Sequence, residues 1–471
     1  MKKEFKKGQV FGSWTLIQFI NGGGNGEVWL TESEKGEKFA IKLLKKLTNV
    51  AYHRFVDEVE TIKNNSDVKG ILEIKDHYLP KDQKETAWYV MPLAQSITDY
   101  IKSFEAEQIV DVILSIAETL KSLHERGISH RDIKPGNMLV FEDQVCLTDF
   151  GLVDYPEKLD LTHKGEMVGP KWTMAPEMKR DPKNANPMLA DVYSLGKTLW
   201  ILLTKEDKGF EGQYLYGSIN ELKRYQPLIY TNPLDNLIFT CTDNDPTKRP
   251  NIQSFIIRLK EWKKLNRDFE SRNKRQWTEL QESLFPTALP KRVIWENIHD
   301  IVKVLNIIGS INDLNHMFYP SGGGNDLKGA KLSHEQGQIE LDTGFAEIIK
   351  PKRLIFESFD YDPQWNYFRI ETESFPPSSV YNYDNWHHPY EYLLELQPGC
   401  YGNPKATEET PDGLRTVKRF FKGGDFVIFQ KTSIYNKLSD TYDGRHAKMT
   451  TEQFRKYIQS GVDAVKQSNK N

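Results

Sequence analysis

The stretch from Val192 to Leu203 carries apolar side chains on nearly every face of a helix. Such a helix has no side to give to water, so it must run inside a core. Other helices have to enclose it, and one candidate lies upstream. Ile109, Ile113, Ile116, Leu120 and Leu123 recur every three or four residues, one face of a long buried helix. The first ninety residues read differently. Trp14 to Ile20 and Glu27 to Leu30 flank a glycine cluster, as paired strands joined by a flexible turn would, and Lys38 to Leu43 is a third strand. Between Tyr52 and Asn64, Phe55, Val59 and Ile62 have helical spacing. The reading is α+β, with a small β-rich part followed by a larger helical one.

After Arg249-Pro250 the character changes. Phe255, Leu259, Trp262, Leu265 and Phe269 mark a helix that grows highly charged towards Arg275, as a strut would, and Pro286 and Pro290 then interrupt it. The expected divisions are a first domain over 1–265, a helical linker over 266–290 and a C-terminal module over 291–471. The module should open with a helical piece, Val293 to Leu314, and a glycine turn, Gly322 to Gly324. Strands follow at Ile355 to Ser358, Trp365 to Ile370 and Phe426 to Phe429. A last helix opens at Thr450, with Gln453 completing a capping box and Phe454, Ile458, Val462 and Val465 on one face.

The formal net charge of −3 gives no electrostatic reason to expect nucleic acid or an anionic membrane as partner. Cys146, Cys241 and Cys400 are odd in number and far apart, which argues against a disulfide framework and a Cys-x-x-Cys metal site. The basic N-terminus lacks the apolar stretch of a secretory signal, and no run approaches the ~18 apolar residues of a spanning helix. The expectation is a cytoplasmic protein with an internal input.

Phosphoryl transfer needs phosphates held still, charge neutralised and a hydroxyl aimed at the γ-phosphorus. The cluster Asn21-Gly22-Gly23-Gly24-Asn25-Gly26-Glu27-Val28 lets backbone approach phosphates without side-chain collision. Lys42 follows on a strand, in Ala40-Ile41-Lys42, where it would point a charge at the α- and β-phosphates. Glu58 on the next helix could pair with it; the rival Glu60 lies on the opposite face from Phe55, Val59 and Ile62.

His130-Arg131-Asp132-Ile133-Lys134-Pro135-Gly136-Asn137, followed by Asp149-Phe150-Gly151, resembles the protein kinase superfamily, specifically the eukaryotic-like serine/threonine kinases also found in bacteria. The resemblance covers residues 8 to 265. It implies a bilobal kinase fold, with an N-lobe over 8–93 and a C-lobe over 94–265, followed by a separate α+β domain. It implies ATP with Mg²⁺ or Mn²⁺, and protein substrates. Asp132 would take or orient the substrate hydroxyl proton, and Lys134 would neutralise the γ-phosphate. Asn137 and Asp149 would hold the metal. Val90 and Met91, the gatekeeper, lead into the hinge Pro92-Leu93-Ala94, where Leu93 and Ala94 must supply the adenine contacts because Pro92 has no amide donor. Gly22, Gly23, Gly24, Gly26, Val28 and Ala40 complete the nucleotide site. Glu177 of Ala175-Pro176-Glu177 has a partner in Arg249, and Asp191 matches the buried acid that clamps the catalytic loop.

Two positions depart from the pattern. Asn21 replaces the first loop glycine, a residue that tolerates unusual backbone angles. Pro170 stands where serine/threonine kinases carry a threonine, and Pro170-Lys171-Trp172-Thr173 faintly echoes tyrosine kinases, whereas Lys134 points to serine/threonine. Arg131 is the cation that pairs with a phosphorylated activation segment. Thr162 is the best acceptor there; Tyr155 and Thr173 are weaker, and Glu166 is an acidic stand-in. The rival class is a nucleotide-binding scaffold without catalysis, whose usual loss of lysine or aspartate is not seen at Lys42, Asp132 or Asp149. For the C-terminal module, Trp295, Trp365 and Trp386 read as core, and His387-His388 beside Asp384 do not read as a metal site, because adjacent histidines do not share a helix face. The layout fits recruitment or regulation by protein contact, in stress or phage-defence signalling.

Overall fold

In the computed structural model, residues 3–22, 26–46, 48–81, 85–152, 172–227, 229–375, 382–383, 389–397, 400–402, 415–433, 435–436 and 444–468 are described. The chain divides into two units, Met1–Arg267 and Asp268–Asn471.

The first unit opens with strands β1 (Val10–Phe11), β2 (Trp14–Gly22), β3 (Gly26–Glu32) and β4 (Lys38–Leu44), then helix α1 (Asn49–Asn64) and strands β5 (Asp76–Tyr78) and β6 (Trp88–Pro92). They make one sheet in the order β1-β2-β3-β4-β6-β5. Thr48 caps α1 by accepting from the Ala51 amide at 3.3 Å, one of the donors a helix start leaves unmet. The buried side of α1 is Ala51, Phe55, Glu58, Val59 and Ile62, so a carboxylate sits in an otherwise apolar stripe.

Helices take over after β7 (Gln95–Ser96): α2 (Ile97–Tyr100), α3 (Ala106–Glu125), then the hairpin β8 (Met138–Phe141) and β9 (Gln144–Leu147), and α4 (Pro176–Arg180), α5 (Pro187–Thr204), α6 (Asn232–Cys241) and α7 (Ile252–Arg267). Helix α5 is buried from Ala190 to Leu203, as its all-round apolarity requires. Ile109, Ile113, Ile116, Leu120 and Leu123 of α3 pack in the same core. Gly196 lets α6 approach: a Cβ there would lie 2.6 Å from Cys241 Cβ.

The expected strut from α7 past Phe269 breaks at Asp268, whose side chain caps the next helix, α8 (Phe269–Leu284), by accepting from the Ser271 amide. Helix α8 is not a linker. Its Trp277 and Leu280 are buried in the core of the second unit with Ile301, Leu305 and Phe368. Nor is Val293 to Leu314 helical throughout, because β10 (Arg292–Trp295) precedes α9 (Ile298–Gly309).

Among the described residues the second unit is built on a twelve-stranded sheet of β10, β11 (Asn315–Phe318), β12 (Gly324–Asn325), β13 (Gly329–Leu332), β14 (Ile339–Asp342), β15 (Ala346–Glu357), β16 (Tyr367–Glu373), β17 (Asn382–Tyr383), β18 (Pro389–Gln397), β19 (Cys400–Gly402), β20 (Arg415–Phe421) and β21 (Phe426–Gln430). The long strand β15 is its hub. One half pairs with β14 and, in parallel, with β20; the other pairs with β10 and β16. A final helix, α10 (Thr451–Ser468), lays Phe454, Ile458 and Val462 on a second apolar cluster with Trp365, Tyr367 and Phe429. The expected capping box is formed: Gln453 Oε1 accepts from the Thr450 amide and Thr450 Oγ1 from the Gln453 amide. Trp365 is core as expected, and Trp295 is half-buried. Trp386, Asp384, His387, His388 and the side chain of Cys400 lie outside the described residues.

Candidate active site

Cross-strand register brings the first half of the site together. Val28, Lys42 and Tyr89 stand opposite one another on β3, β4 and β6, and Ala40 stands opposite Met91 one rung on. Side chains two apart on a strand share a face, so these five point to one side of the sheet. There Lys42 Nζ donates to Glu58 Oε1 at 2.6 Å and to Asp149 Oδ1 at 3.1 Å. Glu60, the rival, is exposed. Burial opposes the charge on Lys42, but the carboxylates of Asp149 and Glu58 outweigh it and hold its pKa well above the ordinary value. Burial pushes the Glu58 carboxyl up, against the pull of Lys42. The Lys42 ammonium holds Asp149 below the usual carboxylate range.

The second half comes from the loop before β8 and the turn after β9. Lys134 Nζ donates to Asp132 Oδ2 at 2.9 Å, and Asn137 Nδ2 donates to the same oxygen at 2.8 Å and to the Asp132 carbonyl at 2.9 Å. Asp132 is 5% exposed, and its Oδ1 is buried with no hydrogen-bond partner among the described residues. One oxygen is thus pinned and the other left as an acceptor. Asp191 on α5 secures the loop from below, accepting from the His130 and Arg131 amides at 2.7 Å each. Arg131 and Asp149 both have φ of 66°, the left-handed backbone that non-glycine residues avoid and that functional sites retain.

Both halves line one cleft of about 430 Å³, which takes in Gly22, Gly26, Lys42, Glu58, Asp132, Lys134, Asn137 and Asp149. At Gly26 a Cβ would lie 3.0 Å from the Leu43 carbonyl, so the backbone is bare where it closes over the cleft. Asn21 does not use its backbone tolerance: it lies in β2, pairs with Val28, and its side chain accepts from the Gly22 amide at 2.8 Å. Gly23 and Gly24 lie outside the described residues, as do Tyr155, Thr162, Glu166 and Pro170. Ala40, Met91 and Ala94 pack with Val28 in an adjoining apolar cluster, while the side chain of Leu93 is 42% exposed. Thr173 is buried, and its hydroxyl donates to the Ile133 carbonyl at 2.9 Å.

Sequence reasoning missed several residues. Arg54, Phe55 and Leu44 line the cleft, and Leu139 joins the apolar cluster. Leu139 could have been found, because it follows Asn137 by two along an incipient strand. The pair of Glu177 and Arg249 is formed bidentately at 2.6 and 2.9 Å.

A family model for the protein kinase domain matches residues 14–258, a little over half of the chain, and the chain belongs to that family. It is similar to the serine/threonine-protein kinase AfsK of Streptomyces coelicolor, at 29% identity over 51% of this chain and 30% of that one. It is also similar to the serine/threonine-protein kinase PrkC of Bacillus subtilis, at 26% identity over 51% of this chain and 39% of the relative. The serine/threonine-protein kinase PknA of Mycobacterium tuberculosis matches at 28% identity over 39% of this chain and 45% of its own. The chain therefore spans less than half the length of each of these relatives. Among the described residues no helix is long and apolar enough to cross a membrane.

Proposed function

We propose that the protein is an ATP- and Mg²⁺-dependent protein serine/threonine kinase with its catalytic domain in the first unit. The observation that carries this reading is the state of Asp132. One carboxylate oxygen is pinned by Lys134 and Asn137 while the other has no partner among the described residues, beside an assembled Lys42–Glu58 pair. A carboxylate so held accepts the proton of a serine or threonine hydroxyl and aims its oxygen at the γ-phosphorus. Lys134 Nζ neutralises the transferring phosphoryl group, and Lys42 the phosphates before it. Val28, Ala40, Met91 and Ala94 sandwich the adenine, with the Leu93 and Ala94 backbone as hinge contacts.

The metal fits the donors present. Asp149 offers a carboxylate and Asn137 an amide carbonyl, hard oxygens on one cleft, and a Mg²⁺ site commonly takes only one or two protein ligands beside phosphates and water. Held by Asp149 and Asn137, the ion would supply positive charge to neutralise the phosphates.

Serine/threonine specificity is supported by Lys134 and by the names of the relatives; a dual-specificity or tyrosine-directed enzyme is the second reading, on Pro170. Autophosphorylation at Thr162, a cytoplasmic location and a regulatory or recruiting role for the second unit belong to the same proposal. The test is incubation with γ-labelled ATP and Mg²⁺ beside Asp149→Ala, then phosphoamino-acid analysis and mass spectrometry. Labelled serine or threonine, absent from the variant, is expected. No label in a protein that binds ATP refutes the catalytic reading, and phosphotyrosine alone refutes the specificity.

A further inference from the structure

Tyr89 belongs to none of the motifs, yet it touches the centre of the site. Its hydroxyl donates to Glu58 Oε1 at 2.8 Å, the oxygen that also receives Lys42 Nζ. Its ring is 2% exposed and lies against Phe55 of α1, with centroids 5.5 Å apart. Lys42 Nζ lies 5.8 Å from the ring centroid. One side chain anchored in β6 therefore grips α1 twice, by packing one turn before Glu58 and by hydrogen bonding at Glu58 itself.

We propose that Tyr89 is a positioning residue for phosphoryl transfer: its hydroxyl ties Glu58, and through it α1, to the sheet, so that the Lys42–Glu58 pair stands assembled before nucleotide arrives. The proposal rests on the kinase reading. Its physical basis is that Lys42 alone is an uncertain anchor, because Asp149 competes for the same ammonium. A carboxylate removed from water needs donors to replace its hydration. The Tyr89 hydroxyl is a second donor to Glu58, and burial, reinforced by Glu58, keeps it protonated. It therefore holds Glu58 in place whichever carboxylate Lys42 favours.

Tyr89→Phe removes one oxygen and keeps the ring. In the full-length protein, backbone amide exchange over 52–64 should quicken about tenfold, the factor that matches a hydrogen bond to a charged group. With casein as acceptor, kcat should fall about tenfold while the KM for ATP moves less than threefold. In a Glu58→Gln background the same substitution should change kcat less than twofold, because there is no longer a charge to position. Unchanged exchange in α1 overturns the proposal whatever the activity does, and so does a kcat loss that multiplies in full on Glu58→Gln. If the wild-type protein transfers no phosphate at all, the kinase reading fails, and the exchange measurement alone decides the tether.

Discussion

Glu177 and Arg249 offer the sharpest stability test. The Arg249 side chain is fully buried, and that of Glu177 is 16% exposed. Nη1 and Nη2 both engage Glu177, while Nε donates to the Asp243 carbonyl at 2.8 Å and Nη1 also to the Leu189 carbonyl at 3.2 Å. Removing one member of a buried pair leaves the other uncompensated, at a cost of about 3–5 kcal/mol. In Glu177→Ala the two carbonyls still hold Arg249, which places the loss near the lower end, about 3 kcal/mol. For a domain of this size that is a fall of roughly 6–12 °C in the thermal midpoint. Arg249→Lys should lose nearly as much, since a lysine cannot make the fork. The double change Glu177→Leu with Arg249→Met should be less destabilised than the two single changes summed, because no orphaned charge remains. Differential scanning calorimetry of wild type, Glu177→Ala, Arg249→Lys, the singles Glu177→Leu and Arg249→Met, and their double variant reads this directly. A Glu177→Ala midpoint within about 2 °C of wild type, or strict additivity in the double variant, refutes the reasoning.

Lys197, 1% exposed, donates to the Phe210 carbonyl at 2.5 Å, and its ammonium lies 3.6 Å from the Phe210 ring centroid. Burial, then the charge of Lys179, presses its pKa down to about 7 against the pull of Glu211. The unfolded chain, with lysine's usual 10.5, binds more protons from about pH 7 upwards, so folding stability should rise with pH in that window by up to about 1.4 kcal/mol per unit. Lys197→Met should flatten the rise, and parallel midpoint curves at pH 7, 8 and 9 would count against it. Trp277→Ala should cost the second unit about 3–5 kcal/mol in denaturant unfolding; a cost under about 1 kcal/mol would return α8 to the status of a linker. Gly309→Ala should destabilise the same unit strongly, since the added Cβ would lie 2.5 Å from the Lys328 carbonyl; normal unfolding midpoints would contradict that contact.

What was legible in the sequence follows from how far apart the interacting residues lie. The loop from His130 to Asn137 and the turn at Asp149 to Gly151 are short, so their spacing alone carries the geometry of Asp132, Lys134 and Asn137. Lys42 and Glu58 were readable because a strand and a helix each fix one face. Tyr89 was not, because its meeting with Glu58 depends on β4 lying beside β6, a pairing no local pattern announces. The same reason hid the second unit. Trp277 sits in a helix so charged that it reads as a strut, and its apolar partners, among them Phe368 and Phe426, come from strands far along the chain. The strands themselves were found at Phe426 to Phe429 and near Ile355, but not their order.

That order has a consequence for synthesis. In the second unit β21 lies between β11 and β16, pairing Met317 with Ile428 on one side and Phe368 with Ile428 on the other. A ribosome releases β11 and β16 well before Phe426 emerges, so for that interval the two strands face an empty lane and offer open edges to other chains. The strands and helices of the first unit are complete by Arg267 and can close while the rest is still being made. Slow delivery of β21 prolongs the exposed interval of the second unit alone, and low yield traced to aggregation should therefore map to its unpaired strands rather than to the protein kinase domain.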